Sequence, residues 1–174
     1  DSFIIVTGEE FEEIPFSGRI YYFSISPDGK YLSYLVNNNT VFFGIDLDKG
    51  YKLVFYDLEK KKEIDTKNID DFGIFCWKSN YEILFFPFVL KNGKSSGKLI
   101  NINKGTVDET NIILPYIPIL DIIYSENKII YVYEKFGKNR EKYLVIQDIR
   151  DNKIIDVKKI QNYSLEYIVI FKLE

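Results

Sequence analysis

The chain of 174 residues contains no histidine, no methionine and no alanine, and only one cysteine and one tryptophan. Histidine most readily exchanges protons near neutral pH, so its absence excludes Ser-His-Asp and Cys-His catalytic sets and zinc sites with histidine ligands. Alanine is the strongest helix former, and its absence beside 14 Tyr and 14 Phe predicts an all-β protein. The lone Cys76 has no partner for an internal disulfide, which leaves the compartment open.

Charge and hydropathy argue against a nucleic-acid partner and against a membrane span. Lysine and arginine number 23 against 26 acidic residues, and arginine occurs only at positions 19, 140 and 150. Because nucleic-acid binding depends on a dense positive field, we expect no nucleic-acid partner. The longest uncharged apolar stretch, residues 112–120, is interrupted by Pro115 and Pro118, so we expect no membrane span. The chain begins with Asp1, as expected of a processed protein or a piece of a longer one.

Three similar units follow one another along the chain, at about 20–67, 72–113 and 119–160. Each contains a short apolar strand, a polar turn, two further strands and a turn leading to a charged strand. Aligned on Asp57, Asn103 and Asp148, the units repeat at intervals of 46 and 45 residues. This period is typical of the four-stranded blades of a β-propeller, whose apolar faces are buried only against neighbouring blades. We therefore predict one β-propeller domain over residues 1–174.

Strand-like segments remain at both ends, at 3–14 and 163–173. Two arrangements are open: the ends combine into a fourth blade, or they are the cut edges of a larger ring. An open ring would expose the faces of its terminal sheets and favour self-association.

The turn Ser26-Pro27-Asp28-Gly29-Lys30, with its aromatic flanks, resembles the blade motif of TolB-like propellers and of the propellers of dipeptidyl peptidase IV and acylaminoacyl peptidases. The resemblance implies a module that gates and positions substrates beside a separate hydrolase domain. We expect no Gly-x-Ser-x-Gly nucleophile elbow in this chain, and hence no hydrolase chemistry. The acidic pairs Glu9-Glu10 and Glu12-Glu13 lie on a strand-like segment, unlike the helical glutamate motif of dipeptidyl peptidase IV.

Two loops resemble ligand-binding motifs but depart from their spacing. Residues 46–50 resemble the opening of a calcium loop, yet the glycine comes one place early and the third acid is missing, which favours a hairpin turn. Residues 93–98 resemble a phosphate-binding loop with one residue too few, and they lead into a strand. The sequence therefore predicts no cofactor and no metal site.

Other chemistry-bearing residues are interpreted mainly as structural. Cys76 is expected in the core, and residues 60–62 form a solvated, mixed-sign turn. Three aromatic residues of the first strands either line a central channel or fill the space between blades. Carboxylate-based glycosidase chemistry would require two or three acids to cluster at that channel, and four acids are candidates. The aromatic residues are Tyr22, Trp77 and Tyr124, and the acids are Asp46, Asp65, Asp71 and Asp121.

From the repeat and the residue types we predict a non-catalytic module that recognises a protein or peptide. Two alternatives belong to other classes. One is the substrate-selecting propeller of a serine peptidase of the dipeptidyl peptidase IV or acylaminoacyl type, and the other is a propeller glycosidase. The sequence assigns no catalytic or binding residue among them.

Overall fold

A computed structural model describes residues 2–7, 10–15, 18–37, 50–69, 72–88, 94–116, 119–135 and 140–160. These residues form strands joined by turns, as the absence of alanine predicts, and none of their elements is a helix that could cross a membrane. The strands are β1 (Ser2–Thr7), β2 (Glu10–Pro15), β3 (Arg19–Ile25), β4 (Tyr31–Asn37), β5 (Tyr51–Asp57), β6 (Lys62–Ile69), β7 (Gly73–Ser79), β8 (Glu82–Pro87), β9 (Ser95–Asn101), β10 (Thr106–Leu114), β11 (Ile119–Ser125), β12 (Lys128–Lys135), β13 (Glu141–Asp148) and β14 (Ile154–Ile160).

Twelve of these strands form three four-stranded antiparallel sheets. Strands β3 to β6 form sheet 1, β7 to β10 form sheet 2 and β11 to β14 form sheet 3, each in plain chain order. Each sheet is thus a meander that begins at one edge and ends at the other. This arrangement confirms the all-β prediction and has the layout of consecutive propeller blades.

The sheets stack face to face through apolar side chains. Strand β8 shows the pattern most clearly, because its alternate residues enter different cores. Ile83 and Phe85 join a buried cluster with sheet 1, whereas Leu84 and Phe86 join a buried cluster with sheet 3. A strand covered on both faces has a continuous apolar sequence, and residues 83–86 are such a run. Sheet 2 therefore depends on both neighbours for its stability.

The first strands of the three sheets lie closest together. Strand β7 contacts both β3 and β11, while the last strands β6, β10 and β14 form the opposite edges of their sheets. The first strands are therefore the innermost ones, grouped around a common axis, as in a propeller.

The turn from the third to the fourth strand begins with a similar side-chain contact in all three sheets, although the N–H donor lies three residues on in sheets 1 and 2 and two residues on in sheet 3. Asp57, Asn101 and Asp148 each end a third strand, and each side-chain oxygen accepts a hydrogen bond from a backbone N–H in the turn. One residue of each turn adopts a positive φ, a conformation that favours glycine or asparagine. The N–H donors are Lys60 at 2.8 Å, Lys104 at 3.0 Å and Arg150 at 2.9 Å, and the positive-φ residues are Lys61, Gly105 and Asn152.

The structure corrects one position of the predicted repeat. The residue equivalent to Asp57 and Asp148 in sheet 2 is Asn101, not Asn103, because it pairs with Glu82 just as Asp57 pairs with Tyr31. The intervals between these positions are therefore 44 and 47 residues. The sequence alignment followed the alternation of apolar residues, which a shift of two positions leaves unchanged.

Strands β1 and β2 pair with each other ahead of sheet 1. Ile14 of β2 is buried against the face of sheet 1 that points away from sheet 2, together with Leu32 and Val36. The last apolar residue of β6, Ile69, is likewise buried in the cluster that β6 shares with sheet 2. Strand β2 thus packs against sheet 1 in the way that β6, the fourth strand of sheet 1, packs against sheet 2. The predicted strand-like segment at 163–173 lies outside the described residues.

Candidate binding groove

A groove of about 640 Å³ opens where the three innermost strands end. It is lined by the last residues of β3, β7 and β11 and by the turns that follow them. No single sheet forms it, so its shape depends on how the three sheets stack. Its walls combine apolar and polar side chains, among them Ser24, Ile25, Trp77, Lys78, Tyr124 and Glu126.

Trp77 forms part of both the core and the groove. Its side chain is only 5% exposed and packs edge-on against Phe55 of sheet 1, with ring centroids 6.1 Å apart. Its indole Nε1 donates a hydrogen bond to the carbonyl of Ser24, at 3.3 Å, so it also ties β7 to β3. The two roles considered for this residue from the sequence, lining a channel and filling space, are both present.

The charges around the groove are few. Lys78 is the one cation among the described lining residues, and its Nζ lies 3.3 Å from Glu82 Oε2. Glu126 is exposed on the following turn of sheet 3 and forms no ion pair with a described residue. The local balance is therefore negative, because the charge of Lys78 is already compensated.

A hydrogen bond below the groove joins sheets 1 and 3. The Tyr22 hydroxyl donates to Asp121 Oδ1 at 2.8 Å, and the backbone N–H of Ile122 donates to the same oxygen at 2.8 Å. The Tyr22 ring stands perpendicular to Phe75 of sheet 2, with centroids 5.0 Å apart. Burial, and then the negative charge of Asp121, raise the pKa of Tyr22, so its hydroxyl stays protonated and donates.

Replacing Tyr22 with phenylalanine should destabilise the protein by about 1.5 kcal/mol, because a hydrogen bond to a charged group is lost in a partly buried place. The measurement is urea unfolding followed by the fluorescence of Trp77. Tyr124→Phe is the matched control, because among the described residues the Tyr124 hydroxyl bonds to Asn127 alone, in its own exposed turn, and the substitution should cost about 0.5 kcal/mol. Equal losses in the two variants would contradict a linking role for Tyr22.

Cys76 lies in the core between sheets 2 and 3, as the sequence indicates. Burial, and then the nearby Asp121 carboxylate, raise the pKa of its thiol. A thiol held in its protonated form is a poor nucleophile. Although Cys76 borders the groove, it does not supply a reactive sulfur there.

Of the acids considered for glycosidase chemistry, the two that lie within the described residues, Asp65 and Asp121, do not come together. Asp65 lies on the outermost strand of sheet 1, with Lys67 as its ion-pair partner, whereas Asp121 lies on the innermost strand of sheet 3. Asp46 and Asp71, and all of the calcium-like loop except Gly50, fall outside the described residues. Within the described ranges no group of three or more acids or cysteines could hold a metal ion.

The expectation that the chain lacks a Gly-x-Ser-x-Gly pattern is wrong. Residues 93–97 spell Gly-x-Ser-x-Gly, the pattern of a nucleophile elbow. That elbow requires a sharp turn from a strand into a helix, with an exposed serine at its tip. Ser95 instead begins strand β9, is fully buried, and donates its hydroxyl to the carbonyl of Pro87 at 2.5 Å. The segment therefore holds a structural serine.

No protein-family profile matches the chain, and no curated protein matches it in sequence. Solved structures do match in fold. An uncharacterized protein from Listeria monocytogenes EGD-e aligns with 91% of the chain, with a TM-score of 0.56 and 16% sequence identity. A prolyl endopeptidase aligns with 90% of the chain, with a TM-score of 0.53 and 15% sequence identity. TolB from Acinetobacter baumannii aligns with 84% at 0.48 and 16% identity.

The chain spans only part of these proteins: 47% of the Listeria protein, 23% of the prolyl endopeptidase and 45% of TolB. At these identities the matches concern the fold alone. The three meander sheets grouped around one axis, together with the matches to the Listeria protein and the prolyl endopeptidase, confirm the predicted β-propeller architecture.

Proposed function

We propose that this chain is a recognition module and that the groove binds an extended peptide or a protein segment. The observation that carries the proposal is that three sheets jointly form one groove of about 640 Å³. That volume lies within the range of ligand pockets, and rigid sheets keep the loops around it in place. The innermost strands β3, β7 and β11 are also sheet edges, whose backbone groups suit an extended chain.

We further propose that the chain itself performs no catalysis. Cys76 is the one thiol of the chain, and Ser95 is the serine of its Gly-x-Ser-x-Gly pattern. Both side chains are buried. The thiol is kept protonated, and the hydroxyl is engaged with a backbone carbonyl. The chain contains no histidine to activate either of them.

Selection of random peptides on the immobilised chain tests the proposal, with binding measured afterwards by calorimetry. Ile25→Asp places a charge in the groove wall, and we expect it to weaken the selected peptides about tenfold or more. Val107→Asp is the matched control, because Val107 on the outer strand β10 is exposed to the same extent, 47%, as Ile25. If both substitutions have the same effect, or if no peptide is enriched, the groove is not a recognition site.

A second candidate is the substrate-selecting propeller of a serine peptidase. The fold match to a prolyl endopeptidase, of which the chain spans 23%, favours it over a glycosidase. In that case the same open reading frame would encode a hydrolase domain with its own serine, acid and histidine, and proline-containing peptides would dominate the selection. A reading frame without such a domain would eliminate this candidate and leave the first one standing.

A further inference from the structure

Asp121 has one carboxylate oxygen to which no described residue donates. Both hydrogen bonds to this side chain, from Tyr22 and from the N–H of Ile122, end on Oδ1. Among the described residues nothing donates to Oδ2, and no lysine or arginine forms an ion pair with Asp121. The side chain is partly buried. A carboxylate drawn partly out of water without a counter-charge favours the approach of a cation.

This carboxylate lies directly beneath the groove. Ile123, which lines the groove, is two residues further along β11 on the same face of the strand as Asp121. Across the axis, Ser24 stands in the same relation to Tyr22 on β3. Ile122, the residue next to Asp121, also lines the groove, so Asp121 lies within about 7 Å of the groove wall. An extended lysine or arginine side chain covers this depth.

The rim of the groove has the same sign of charge. Glu126 lies on the rim without an ion pair among the described residues, and Lys78, the one cation in the part of the lining that the structure describes, is neutralised by Glu82. Opposite charges across an interface attract a ligand and fix its register. A ligand with a positive group would meet one acid on entry and a second one at the bottom.

We propose that the groove recognises a basic peptide, with the cationic end of a lysine or arginine side chain bound at Asp121 Oδ2 and Glu126 attracting it at the rim. This inference rests on the proposed recognition function and names its ligand class. Tyr22 and the N–H of Ile122 bind Oδ1, which leaves Oδ2 available to the cation.

The test uses the whole chain and two defined probes, acetyl-Gly-Leu-Lys-Leu-Gly-amide and the same peptide with norleucine in place of lysine. Both ends are capped, so the probes differ only in the charge of one side chain. Trp77 is the only tryptophan and borders the groove, so its fluorescence reports occupancy directly. We expect the lysine peptide to bind about tenfold more tightly, an advantage that declines with salt.

Asp121→Asn should remove most of that advantage. Its Oδ1 can still accept from Tyr22, so the fold is kept, and thermal unfolding checks this point. Asp65→Asn is the control, because Asp65 is a partly buried acid on the outermost strand of sheet 1 and should leave both affinities unchanged.

The outcomes separate the two proposals. Equal affinity for the two probes, or an unchanged lysine preference in Asp121→Asn, overturns the basic-peptide inference. If the random selection still yields groove ligands without lysine or arginine, the recognition function stands and only the ligand class is wrong. If nothing binds the groove in either experiment, both proposals fail.

Discussion

Gly73→Ala should destabilise the protein by about 3 kcal/mol, because no room exists for a methyl group at the start of β7. A Cβ at this position would overlap the backbone carbonyl oxygen of Phe86 and lie 2.7 Å from the ring of Phe85. The backbone of β8 cannot yield without disturbing the pairing of Gly73 with Pro87. Since Phe85 and Phe86 enter the two opposite cores, the disturbance reaches both neighbours of sheet 2.

Urea unfolding followed by circular dichroism measures the loss. Gly97→Ala is the control, because its Cβ would meet only side-chain atoms, 2.7 Å from the ring of Phe86 and 3.0 Å from the hydroxyl of Thr110. Side chains can rotate away, so we expect a smaller cost, about 1 kcal/mol. A loss in Gly73→Ala no larger than that in Gly97→Ala would show that β8 is free to move.

The sheets were predictable from sequence because their apolar residues recur with a strand period. Residues 83–86 form an uninterrupted apolar run, and the structure buries that strand on both faces. The Ser26-Pro27-Asp28-Gly29 turn was equally predictable. Gly29 adopts a φ of 73°, and the Ser26 hydroxyl donates a hydrogen bond to Asp28 Oδ1 at 2.6 Å. Local chemistry determines both features, so a single sequence reveals them.

The groove was only partly predictable. The sequence places Tyr22, Trp77 and Tyr124 in first strands, but it does not show that the Tyr22 hydroxyl reaches Asp121, 99 residues away. Nor does the sequence show which acids lack an ion-pair partner. The ion pair between Lys78 and Glu82, for example, forms because a tight hairpin brings the two side chains together. Contacts between sheets depend on stacking, which no local pattern encodes. The register error at Asn101 has a different origin, because a shift of two positions within a strand leaves the alternation of apolar residues unchanged.

The irregular part of β10 also depends on a neighbouring sheet. The pairing of β10 with β9 shifts between Glu109 and Ile113, which takes backbone groups out of the ladder. Side chains of sheet 3 bind them: Asn152 donates to the carbonyl of Asn111 at 2.7 Å and accepts from the N–H of Ile113 at 2.9 Å. Gln147 donates to the carbonyl of Ile113 at 2.7 Å. Buried backbone groups need such partners.

Gln147→Met should therefore cost about 3 kcal/mol, although it keeps the length of the side chain. Gln147 is fully buried, and its loss leaves the Ile113 carbonyl and the Tyr131 hydroxyl, which donates to Gln147 Oε1 at 3.3 Å, without this partner. Each buried polar group left without a partner costs about 1–3 kcal/mol. Urea unfolding of the whole chain measures the sum.

A second substitution separates the loss of partners from a change in packing. Tyr131→Phe removes one of the two orphaned groups, so the double variant should be less destabilised than the two single losses added together, by about 1 kcal/mol. Strict additivity would mean that Gln147 contributes shape rather than hydrogen bonds. Coupling of the expected sign would establish that the Gln147 side chain acts through its hydrogen bonds, one of which binds the irregular strand of sheet 2.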